Sequence, residues 1–275
     1  MPWNEGDHRR KFMRSGGSAT DTTDEVEGEL VFWGEWEPPS RVVEVYRDPQ
    51  PEHPRWLQDP FWEPVDPPRW VQNTDPFVFG ERFHYTGCQQ DRMIGGRRRP
   101  TQLRHLSFGT VILFGSCRHD RFVLDTVFVV REHVDHGLMN RDSALADAVS
   151  DTYRSVVIEP WYHNPPFPYQ SFRLYSGATP ADPVNGMFSF VPCALRSERP
   201  RGFARPVIEL PEAITNTHKQ SFRLNPQASI ADAATLWRSV VEQVLHAGLV
   251  LGTHFTLPPR AGAQMTPGSS SGSIV

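Results

Sequence analysis

What this chain lacks narrows it first. Its 275 residues include only three cysteines, Cys88, Cys117 and Cys193, and no CxxC pair, which excludes a disulfide-stapled scaffold and a structural zinc knuckle. Residues 1–30 carry charge without an apolar core, and no later run approaches the length of a membrane-crossing helix. No signal peptide and no membrane span are therefore expected, and the setting is read as cytoplasmic. Neither GxGxxG nor GxxxxGK[ST] occurs, so no Rossmann or P-loop cradle supports a phosphate. His84 with Cys88, Cys117 with His119, and His133 with His136 are close in sequence, yet none has the helical HExxH spacing. No metal site is expected, and no motif points to a particular cofactor. The formal net charge of −4 argues against a protein that coats nucleic acid by charge alone.

What the chain does hold is aromatic and cationic: eight Trp, seventeen Phe, and arginine far in excess of lysine, beside twenty-six Pro. Such side chains stack on planar ligands and pair with phosphates, and they also serve ordinary cores. The polar stretch 1–28 predicts a disordered lead and 258–275 a disordered tail, leaving 29–257 as a single globular body.

Within that body "VFWGEWEPPS" reads as a strand over 30–37. Its period of two puts Trp33, Glu35 and Glu37 on one face and Phe32, Gly34 and Trp36 on the other, before Pro38 and Pro39 stop it. The proline-rich stretch 46–70 predicts a long ordered loop carrying Trp56, Trp62 and Trp70. Two apolar runs, 110–114 and 122–130, flank a polar turn and predict a hairpin covered on both faces. A helix is expected from Asp142 or Ser143 onward, with Leu145, Val149, Tyr153 and Val156 on one stripe. Short strands follow near 171–175, 187–191 and 206–210. A last helix opens at Ser229 with Asp232 and ends at Gly248. Strands, a helix, more strands and a closing helix favour an α+β fold, with a strongly curved mixed or antiparallel sheet or a small barrel and flanking helices.

Candidate chemistry gathers in three places. In "NTDPFVFGERFHYTGCQQ", Asn73 and Asp75 precede a proline that holds them off any helix, while Phe77 and Tyr85 belong to an alternating aromatic strand with His84 beside them. Asp125 interrupts the apolar "FVLDTVFVV", where a carboxylate must be hydrogen-bonded, paired or shifted in pKa. "GGRRRP" brings Arg97, Arg98 and Arg99 together as a phosphate-contact surface.

The hairpin region, in which "SFGTVILFGS" leads through a short loop into "RFVLDTVFVV", resembles the PUA-like group of small barrels that contains EVE and ASCH domains. That resemblance implies a β-barrel whose mouth takes up a nucleotide base, often a modified one, between aromatic side chains. The first expectation is thus a nucleotide or nucleic-acid base-binding module. In it Trp33, Trp36, Phe77 and Tyr85 stack the base, Asn73 and Asp75 read its edge, and the arginine loop holds phosphate. The alternative is an enzyme acting on a nucleotide or nucleotide-sugar, a transferase or glycosidic hydrolase, with Glu35, Asp75 or Asp125 as acid or base and His84 as proton shuttle. A third reading is an interaction scaffold that uses the tryptophan loop.

Overall fold

The structure is a computed structural model that describes residues 10–64, 74–119, 121–163, 171–210, 215–217, 221–223 and 229–262. The chain opens with β1 (Arg10–Thr20) and β2 (Glu25–Glu35), paired in unbroken register from Arg10 against Glu35 to Thr20 against Glu25. The disordered lead expected over 1–28 is thus corrected: from Arg10 onward it is sheet. Its turn is held by Asp21, whose Oδ1 accepts the backbone N–H groups of Thr23 and Asp24, each at 2.9 Å. Gly17, in a stretch that looked merely flexible, lies where a Cβ would sit 2.1 Å from the His254 carbonyl oxygen. A side chain there would push away the strand that covers it.

After β2 come β3 (Ser40–Val45), β4 (Trp56–Pro60), β5 (His84–Tyr85), β6 (Asp91–Ile94), β7 (Arg97–Pro100), β8 (Val111–Arg118) and β9 (Arg121–Gly137). Beyond the first helical region lie β10 (Ser171–Gly177), β11 (Val191–Leu195), β12 (Val207–Ile208), β13 (Thr215–Thr217), β14 (Ser221–Arg223) and β15 (Val250–Phe255). One sheet runs β15-β11-β2-β1-β4-β3, and β15 also bonds to β1, so the path of pairings bends back on itself. The second runs β12-β9-β10-β5 with β8 against β9, while β6 with β7 and β13 with β14 form separate ribbons. The fold is α+β, built on a curved mixed sheet.

Two hydrophobic clusters divide the interior, and the pleat decides which residue joins which. Phe12, Val31, Val127 and Val129 face one cluster; their neighbours Met13, Phe32, Phe128 and Val130 face the other. This is why these strands read as apolar on both faces. The first cluster is roofed by α4 (Ile230–His246), which opens with a Ser229–Asp232 capping box and buries Leu236, Trp237, Val240, Val241 and Val244. Helical turns roof the second, burying Tyr153, Val156, Val157 and Ile158.

The other elements depart from expectation in identifiable ways. The single helix expected from Asp142 is instead α1 (Arg141–Ala144), a loop, then α2 (Asp151–Tyr153), a π-helical turn (Arg154–Ile158) and α3 (Glu159–His163). Ser150 starts the second piece by accepting the Tyr153 N–H at 3.1 Å. The proline-rich loop contains β4, which sits between β1 and β3. The tail expected from 258 onward is anchored at its start, where the Ala261 N–H donates to the Trp62 carbonyl at 2.6 Å; 263–275 lie outside the described residues. Among the described residues no helix is long and apolar enough to cross a membrane.

Candidate functional site

The residues singled out in the sequence fall into three settings. The first is a buried ion network at the open end of the β1–β2 hairpin. Arg10 stands opposite Glu35 in the register and pairs with it, and its Nε also donates to Asp125 on β9 at 2.6 Å. Asp125 is 3% exposed and accepts a second guanidinium, Arg205 Nη1, at 3.1 Å; that same nitrogen reaches Ser116 Oγ at 2.7 Å. Asp125 reaches this position because of a bulge: Phe114 pairs with Thr126 and Gly115 with Leu124, so Asp125 has no partner on β8 and turns toward the arginines. Burial alone would ease the proton off Arg10, but the charges of Asp125 and Glu35 outweigh it and hold its pKa above the ordinary value. Arg10 and Arg205 are set against Glu35 and Asp125, and both oxygens of Asp125 accept guanidinium N–H groups. The chemistry of this network is anchoring.

Asp75 occupies the second setting, close by. Its two oxygens accept the backbone N–H groups of Thr86 and Cys88, each at 3.0 Å. Burial nevertheless pushes this carboxyl well above the usual carboxylate range, the two N–H groups oppose the rise, and the charges of Glu35 and Glu37 add to it. The Cys88 thiol is pushed up too, by burial and then by Asp75. His84 does not share this acid environment: burial and the charge of Arg82 bring its pKa down to about 4. Its ring lies 3.4 Å from Ser176 Oγ and 5.0 Å, centroid to centroid, from Tyr153. Glu35 and Asp125 thus pair with Arg10, Asp75 lies within reach of the Glu35 charge, and His84 meets Tyr153, whose hydroxyl also feels the Asp75 charge.

The stacking wall expected from Trp33, Trp36, Phe77 and Tyr85 is corrected to interior packing. Trp36 and Phe77 are buried against Phe79, at 5.2 and 5.6 Å, and Phe77 also meets Tyr153 at 5.0 Å. Tyr85 stacks on Tyr175 at 5.9 Å and donates its hydroxyl to the Cys88 carbonyl. Trp33 packs on Phe12, gives its indole N–H to the Phe203 carbonyl at 2.7 Å, and lies 5.9 Å from the Arg205 guanidinium. Asn73 lies outside the described residues.

The third setting is open to solvent. β6 and β7 form a two-stranded ribbon bonded to neither large sheet, with Arg92 opposite Arg99 and Ile94 opposite Arg97. Opposed residues and those two along a strand share a face, so Arg92, Ile94, Arg97 and Arg99 all project from one side. All four are exposed, Ile94 to 61%. The tip is Gly95-Gly96 with φ of +57° and +72°, the left-handed pair that a two-residue hairpin turn needs. The Arg98 side chain lies outside what is described.

Sequence reasoning missed Arg10 and Arg205, because their partner Asp125 is 115 and 80 residues away along the chain. It also missed Gln90, His136 and Trp161, each of which carries a buried polar atom without a hydrogen-bond partner. Leaving one such atom unsatisfied costs about 1–3 kcal/mol. Among the described residues no three of His, Cys, Asp and Glu come together in a way that could hold a metal ion. Compared with known proteins, the chain matches no family model, no curated protein and no solved structure.

Proposed function

We propose that this protein binds nucleic acid and that the β6–β7 ribbon makes the phosphate contacts. One observation carries the reading: Arg92, Arg97 and Arg99 share an exposed face with no carboxylate partner among the described residues. Like charges set directly opposite on a ribbon repel one another, so Arg92 against Arg99 costs stability unless a polyanion lies across them. Arginine forks suit phosphate oxygens, and the exposed Ile94 beside them offers an apolar edge to sugar or base. The alternative of a nucleotide or nucleotide-sugar enzyme draws on Glu35, Asp75, Asp125 and His84. Asp125 is engaged by guanidinium groups, the Asp75 oxygens by backbone N–H groups, and burial holds His84 neutral near pH 7, which favours binding over turnover.

The test is fluorescence anisotropy with single- and double-stranded oligonucleotides over a salt series, comparing the wild type with the triple variant R92Q/R97Q/R99Q. Removing three phosphate contacts should weaken binding at least tenfold and lower the salt slope by about 2–3, at about 0.7 per contact for single strands and 0.9 for duplex. Equal affinity and slope for both proteins would overturn the assignment.

A further inference from the structure

The β6–β7 ribbon is built as an arm. Its foot is clamped: the Thr101 N–H donates to the Gln90 carbonyl at 2.8 Å, the Thr101 hydroxyl to the Gln89 carbonyl at 2.6 Å, and Arg104 Nη1 to Asp91 Oδ2 at 3.0 Å. Its other end is free. A Cβ added at Gly95 or Gly96 would meet nothing within 4 Å, so no described residue crowds the tip. Each strand has four residues, a length of about 13 Å, which is about four base pairs of duplex at about 3.4 Å each.

The composition of the arm separates the forms of nucleic acid. Proteins that hold single strands combine a cationic groove with exposed aromatic rings on which the bases stack. The ribbon sequence, DRMIGGRRRP, has no aromatic residue, and Trp36, Phe77 and Tyr85 are buried in the interior. A duplex hides the faces of its bases and offers groove edges and phosphates instead. The major groove of B-form DNA, about 12 Å wide, admits a two-stranded ribbon whose strands lie about 4.8 Å apart, and the minor groove, at about 6 Å, is too narrow for one. In an RNA duplex the major groove is too deep and narrow for side chains to read.

We propose that this arm enters the major groove of B-form DNA and that Arg97 reads guanine there. The inference rests on the nucleic-acid reading and names its substrate as duplex DNA. On the arginine face the row next to the tip is Ile94 opposite Arg97, and the row nearer the body is Arg92 opposite Arg99. Arg92 and Arg99 repel one another across the ribbon and are driven outward, toward the phosphates on the two rims of the groove. Arg97 has no cation across from it, and its planar fork matches the O6 and N7 acceptors of guanine. Ile94 supplies the kind of apolar contact that a thymine methyl accepts. The Gly95–Gly96 tip carries no side chain to hold the backbone off the groove floor.

The experiment is fluorescence anisotropy with the full chain and four probes: a duplex of alternating dG-dT paired with alternating dA-dC, its RNA counterpart, and each DNA strand alone. A second DNA duplex carries 7-deazaguanine, which keeps Watson–Crick pairing and lacks N7. The expected result is at least tenfold tighter binding of the DNA duplex than of the RNA duplex or either strand. Replacing guanine by 7-deazaguanine should weaken wild-type binding at least about fivefold, whereas Arg97→Gln, already weaker on the natural duplex, should bind both duplexes alike. Equal or tighter binding of RNA or single strands, or no response to 7-deazaguanine, would overturn the groove assignment, and a fall in binding by R92Q/R97Q/R99Q would then leave the ribbon reading standing. Nucleic-acid binding that the triple variant leaves intact would overturn both readings. So would the absence of binding to every probe, or binding to phosphatidylserine vesicles with none to nucleic acid.

Discussion

At Asp125 one carboxylate answers two guanidinium groups, so the residue is worth more for what its loss would expose than for the attraction it supplies. Asp125→Ala would leave Arg10 and Arg205 short of charge inside the protein, and urea unfolding should show a loss of about 3–5 kcal/mol. Glu35→Gln should cost only about 1 kcal/mol, because Arg10 keeps Asp125 and the amide still accepts a hydrogen bond. Equal losses in the two variants would mean that Asp125 is not the hub. The histidines set a different dependence. His84 and His136 each titrate near 4 when folded, against about 6.5 in the unfolded chain, so the unfolded state binds more protons between those values. Stability should therefore fall as pH drops from 6.5 to 4 and the loss should level off below, on the order of 3 kcal/mol for each histidine. Asp75 works the other way: its raised folded pKa gives stability that is present at low pH and lost as pH rises through that value, so it offsets part of the acid loss. Unfolding curves for the wild type and His136→Asn should differ by about half the acid-dependent change, and identical pH profiles would contradict a buried neutral His136.

Among the elements, β9 shows how a single inserted residue sets a site. Phe122 and Leu124 face the first cluster, and so do Val127 and Val129, with a step of three residues where the pleat requires two. The extra residue is Asp125, and the strand opposite accommodates it with Gly115, where a Cβ would lie 2.2 Å from the Val123 carbonyl oxygen. Gly115→Ala should cost about 3 kcal/mol, at the upper end for overpacking, and should loosen the Arg10–Asp125 pair. A variant as stable as the wild type would show that the bulge can migrate. Elements defined by neighbours in sequence were legible: α4 announced itself through Ser229, Asp232 and Gly248, and the β8–β9 hairpin through its apolar runs. The bulge was not, because an acid in an apolar strand looks the same whether it is inserted or in register. The helical region was misread for a related reason: Leu145, Tyr153 and Val156 keep a helical stripe although the helix breaks between them, and Ser150 caps a new start. The arginine ribbon was legible as a charge run, but only the register shows that Arg92, Arg97 and Arg99 share a face.

For the whole molecule, legibility followed sequence distance. The α+β class could be read from the order of elements, while the place of β1 could not, since only Phe12 and Met13 in it are large apolar residues, 15–20 are small, and their burial is decided by strands elsewhere. One side of β1 lies along β2; its other side is shared between β4, which meets Met13, and β15, which covers Gly17 to Thr20. Thr253 on β15 donates to Ser18 across 235 residues of chain. This arrangement has a consequence for a chain emerging from a ribosome. β1 and β2 can zip together early, but the Gly17–Thr20 edge stays uncovered until β15 has been synthesised, so for most of translation the nascent protein presents an open strand edge to its surroundings. A ribosome that stalls before residue 250 would release a product with that edge permanently bare, one that quality-control factors or neighbouring chains could recognise by backbone alone.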